Sequence, residues 1–124
     1  MPDATHYITA PERAETLIPI LDAAASRIEA AREMPPDVLE AMHKARIFRV
    51  LLPKSVGGDE ADLVTFAETI ETLAQGDASA AWVSGQGGGC ALAAAFLTPN
   101  ARQKWRSEEH TSELQSPCNL VCRL

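Results

Sequence analysis

The sequence predicts an all-α fold. Apolar residues recur at spacings of three and four over several long stretches, and clusters of proline and glycine separate those stretches. No segment alternates polar and apolar residues over strand length, the run around Phe48 excepted.

Pro11 and Glu12 open the first helical pattern, in which Leu17, Ile18, Leu21, Ala24, Ala25 and Ile28 form one apolar face. Pro19 lies inside it and either kinks the helix or marks where the helix proper starts. The pattern stops at "REMPPD", because a proline disfavours helical geometry in the residue before it. Pro36 then suits the first position of a second, short helix. Asp37 and Glu40 fall in its electropositive first turn, and Val38, Leu39, Met42 and Ala45 lie on one side.

"IFRVLLP" is a brief apolar run closed by Pro53. "KSVGGDEAD" after it reads as an exposed, adaptable loop in which Gly57 and Gly58 permit positive φ. Asp62 is a good N-cap for a third helix, with Leu63, Phe66, Ala67, Ile70, Leu73 and Ala74 as its apolar stripe and Glu68 and Glu71 toward water. Gly76 ends that helix.

Asp77 or Ser79 starts a fourth helix running toward Leu97, and Thr98 and Pro99 read as the cap and first residue of a fifth that begins "NARQKW". Residues 78–101 carry no charged side chain. A helix apolar nearly all round must be buried on several sides, and the helices before it hardly suffice to cover it. As a membrane span the segment is weak, because Gly, Ser, Gln and Ala dominate it. Burial against protein is the preferred reading; a membrane-inserting helix would show itself as detergent dependence.

With 46% hydrophobic and 23% charged residues in 124, the chain fits one small globular domain or a piece of something larger. A net charge of −6 argues against nucleic acid or an anionic membrane as partner, since polyphosphate binding needs a clustered basic surface. The N-terminal stretch lacks a basic segment followed by an apolar run, so a cytoplasmic location is expected. Three cysteines give no disulfide framework, and Cys90 is expected to be a small buried residue.

"GQGGGC", residues 85–90, resembles a dinucleotide-binding glycine loop only in part. The third glycine position falls on Cys90, and no βα unit precedes it. Trp82, Gln86 and Cys90 share a helical face. They offer an aromatic wall and an amide to a ligand, or simply a packing surface to the core. His43 beside Lys44 reads as a surface residue rather than a base. No nucleophile has a base at recognisable spacing, and no carboxylate pair marks an acid–base or metal site. His110, Cys118 and Cys122 are acceptable ligand types, but their spacing matches no common zinc pattern.

The ordered series from "MPPDVLEAMHKARIFRVLLP" through the "GG" loop to "ETLAQGDASAAWVSG" resembles the N-terminal helical domain of the acyl-CoA dehydrogenase superfamily. The resemblance covers residues 11–105, after a flexible N-terminus over 1–10. "DASAAWVSG" is similar to the flavin-dependent monooxygenase branch, and the dehydrogenase branch stays open. The resemblance implies an oxidoreductase whose intact form holds FAD (or FMN) mainly through a middle β-domain and a C-terminal helical bundle. The substrate would be an acyl-CoA or an aromatic molecule. It further implies a homo-oligomeric, tetrameric parent, a flavin reductase as possible partner of the monooxygenase branch, and no catalytic residue in this stretch. By the same resemblance the fourth helix lies near the substrate pocket, with Trp82, Ser84, Gln86 and Gly89 as lining residues. A free-standing helical module that docks a partner helix is the non-enzymatic alternative.

The tail "RSEEHTSELQSPCNLVCRL" resembles translated sequencing adapter. One adapter reading frame encodes residues 106–116 and 119–124, and Pro117 and Cys118 fall where a sample index varies. Residues 106–124 are therefore expected to be non-native and to carry no metal or redox site. The natural domain is expected to be truncated there.

Overall fold

The computed structural model describes residues 8–96 and residue 100. The expected fifth-helix start at Thr98 and Pro99, the ligand types His110, Cys118 and Cys122, and the adapter-like tail lie outside the described residues. Within them the architecture is four α-helices, α1 (Ala10–Ala31), α2 (Pro36–Lys44), α3 (Leu63–Ala74) and α4 (Ala78–Ala95), with 3₁₀ turns at Ile47–Arg49 and Lys54–Val56 and no strand.

The start of α1 is set by a capping box. Thr9 accepts from the Glu12 amide, and the Glu12 carboxylate accepts from the Thr9 amide at 2.7 Å, so two otherwise orphaned donors are satisfied. Thr9 is thus the N-cap and Ala10 the first residue of α1. Pro19 does not interrupt α1: it sits on the exposed side, where water can satisfy the carbonyl it leaves without a donor. Ala14, Leu17, Leu21, Ala24 and Ile28 are buried at alternating spacings of four and three. They pack along α3 and, near the C-terminal end, toward α2.

Arg32, in the left-handed region at φ 54°, closes α1. Pro35 and Pro36 then redirect the chain, and an exposed ion pair from Arg27 to Asp37 ties the two helices at this corner. Val38 and Met42 of α2 join Ile47, Phe48 and Leu52 in the core, each large side chain contributing about 1.5–3 kcal/mol by leaving water. The run around Phe48, the one place where a strand pattern was conceivable, is a 3₁₀ turn followed by bends. His43 is half-buried against Phe48, with ring centroids 5.0 Å apart, rather than a surface residue.

The loop over residues 53–61 is tethered, not adaptable. Asp59, Glu60 and Ala61 donate backbone N–H bonds back to the carbonyls of Arg49, Leu52 and Val50 at 2.9–3.0 Å. Arg46 donates to the Gly57 carbonyl at 2.7 Å, Arg49 to the Val56 carbonyl at 3.1 Å, and Arg13 reaches across from α1 to Asp59. Gly57 takes the positive φ expected of it, 79°. Gly58 is needed for room instead: a β-carbon there would stand 1.9 Å from the Leu52 carbonyl oxygen.

Asp62 caps α3, its carboxylate accepting from the Thr65 amide at 2.7 Å. That bond holds the Asp62 carboxyl below the ordinary aspartate range. The buried line of α3 is Thr69 and Leu73, flanked by half-buried Phe66 and Ile70. Leu63, Ala67 and Ala74 of the expected stripe are exposed, because α3 turns only part of its wide apolar surface toward α1 and α4. Gly76 follows α3 without adopting positive φ. Its role is close approach, since a β-carbon would meet Leu21 Cβ at 2.8 Å and the Ile18 carbonyl at 2.9 Å.

Candidate functional site

The feature that invites a function is the outer face of α4. Asp77 starts this helix, its Oδ1 accepting from the Ala80 amide at 2.7 Å, and the three-residue connection 75–77 folds α4 back along α3. The face toward α3 and the Ile47–Arg49 turn is made of small residues: Ala80, Ala81, Ser84, Gly87, Gly88 and Ala91 are all buried. Their size lets the backbones approach closely, and the Phe66 ring lies directly over Gly88.

The opposite face is open. Ser79, Trp82, Gln86, Gly89 and Ala93 recur at three and four residues, and Phe96 follows just past the helix end. Trp82 is 70% and Phe96 81% exposed. The two aromatic residues stand fourteen positions apart, close to four turns, hence about 21 Å along the axis. Between them the surface is low: a β-carbon added at Gly85 or Gly89 meets nothing within 4 Å. The face is thus a shallow uncharged trough with an aromatic ring at each end and one amide, Gln86, inside it.

Of the four residues expected to line a pocket, Trp82, Gln86 and Gly89 share this trough. Ser84 does not; it is fully buried on the inner face and donates its hydroxyl to the Ala80 carbonyl at 2.8 Å. Cys90 is half-buried on the flank rather than fully buried. Phe96 completes the trough, and its near four-turn offset from Trp82 is the sequence signal that points to it.

The trough carries no titratable side chain, so it can bind, orient and exclude water but cannot itself move a proton. Residues 85–90 lie within α4, where the backbone N–H groups are spent on helical hydrogen bonds and cannot cradle a phosphate. Arg13, Arg46 and Arg49 are engaged with the 53–61 loop and its surroundings. The trough itself offers no charged donor to the phosphates of a flavin nucleotide. Among the described residues no group of three or more His, Cys, Asp or Glu gathers for a metal ion, and no helix is long and apolar enough to cross a membrane.

Comparison with known proteins gives the context. Residues 14–108 match the family model of the acyl-CoA dehydrogenase N-terminal domain. The chain is similar to a flavin-dependent monooxygenase, oxygenase subunit HsaA, of Rhodococcus jostii (strain RHA1), with 34% identity over 59% of this chain and 19% of that protein. It is also similar to indole-3-acetate monooxygenases of Acinetobacter baumannii, 41% identical over 41% of this chain and 13% of the relative, and of Pseudomonas putida, 38% identical over 45% and 14%. The matched stretches span less than a fifth of these relatives. No solved structure matches the chain at comparable significance. On the extent of the family match, together with its four-helix order, the chain belongs to the acyl-CoA dehydrogenase N-terminal domain family.

Proposed function

We propose that this chain is the N-terminal helical part of a flavin-dependent oxidoreductase and that the α4 trough forms one wall of its substrate pocket. The observation that carries this is the exposed stripe from Trp82 through Gln86 and Gly89 to Phe96, an aromatic, uncharged surface that α1, α2 and α3 leave uncovered. A contiguous exposed apolar surface marks a ligand-binding or interaction site, whereas single exposed apolar residues do not.

The monooxygenase branch is favoured over an acyl-CoA dehydrogenase by the relatives, which are named as monooxygenases and in two cases for indole-3-acetate. A flat aromatic substrate suits the trough: Trp82 supplies a stacking plane, Gly89 keeps the floor low, and the Gln86 amide supplies one orienting hydrogen bond. The intact enzyme would hold FAD or FMN with residues beyond this stretch, and that group, when bound, supplies the redox chemistry. The contribution of this chain's own residues is to seat the substrate and keep water from the reacting face. A reductase supplying reduced flavin and a tetrameric parent belong to the same proposal. So does the assignment of residues 106–124 to adapter rather than protein.

Three measurements test it. The purified chain, mixed with FAD or FMN and passed through a desalting column, is expected to retain neither; stoichiometric retention overturns the assignment of flavin binding to other segments. The genomic reading frame past the codon for Trp105 is expected to continue into a β-rich middle domain. In that full-length enzyme, supplied with a reductase, W82A is expected to raise the KM for the aromatic substrate about tenfold or more, the equivalent of about 1.4 kcal/mol, while leaving flavin content unchanged. Unchanged KM in W82A removes the trough from the pocket, and genomic codons for "RSEEHTSELQS" remove the adapter assignment.

A further inference from the structure

We draw no further inference here: the strongest candidate outside the α4 trough, the exposed apolar patch of Leu63, Val64 and Ala67 on the outer side of α3, carries none because nothing in the structure shows what covers it.

Discussion

The ring of Phe66 lies over Gly88, so close that a β-carbon on Gly88 would stand 2.7 Å from its Cε2 and Cζ atoms. This contact sets how near α4 comes to α3, and so where the outer face of α4 points. G88A gains helix propensity, about 1 kcal/mol, but forces the ring to move, at about 1–3 kcal/mol. Net destabilisation of about 1 kcal/mol is expected in urea unfolding. G85A and G89A meet open space and are expected to stabilise by up to about 1 kcal/mol. In an F66A background G88A should become neutral or stabilising, and a double-mutant cycle measures that coupling.

Asp59 is shared by Arg13 of α1 and Arg46, each taking one carboxylate oxygen. The pair with Arg13 is about one-fifth exposed on each side, so screening is incomplete but real. D59A is expected to cost about 1–2 kcal/mol and to release the 53–61 loop. Limited proteolysis should then cut within that loop while leaving α1 and α3 protected. Equal protection of the loop in the variant would show that its backbone bonds alone hold it.

Gly58 and Gly76 are expected to be the glycines least tolerant of alanine. At Gly58 the obstructing atom is a backbone carbonyl, which cannot swing aside, and at Gly76 the obstructions come from Leu21 and Ile18 of α1. Losses above about 2 kcal/mol are expected for G58A and about 1–3 kcal/mol for G76A, measured as shifts in the denaturation midpoint.

Acid should destabilise the domain through three carboxylates. The Thr65 amide lowers the pKa of Asp62, Arg27 that of Asp37, and Lys44 that of Glu40. A depressed folded-state pKa stabilises fully above the unfolded value and loses that stabilisation as pH falls through the folded value. The loss therefore sets in below about pH 5, not near neutrality. Thermal melts should show a flat Tm from pH 5 to 7 and a decline below it. In D62N, which keeps a capping oxygen, the decline should be shallower. Moderate salt should weaken the Arg27 and Lys44 contributions, since both pairs are exposed.

Local signals were legible in the sequence wherever they act over a few residues. Pro36 begins α2 and Asp62 caps α3, because each choice is decided by atoms within one helical turn, and of the two starts the sequence offers for α4, Asp77 and Ser79, it is Asp77 that caps it. The capping box of Thr9 and Glu12 lies in the sequence too, its Thr9 two residues before the Pro11 signal that draws the eye. The 53–61 loop looked adaptable because its tethers come from residues 13, 46 and 49, and nothing at the loop itself announces them. Gly76 does follow the end of α3 as the sequence indicates, but the atoms that require a glycine there belong to α1.

The sequence by itself determined that the domain is helical, where α2 and α3 begin, and that α4 is too apolar to stand alone in water. Those are matters of periodicity, capping and composition. Which side of α4 faces inward was decided only by the tertiary structure, because a helix without charge carries no polar face to orient it. Small residues alone fit beneath Phe66 and beside the Ile47–Arg49 turn. Packing therefore buries Ser84 with Ala80, Ala81 and Gly88 and leaves Trp82, Gln86, Gly89 and Phe96 outward.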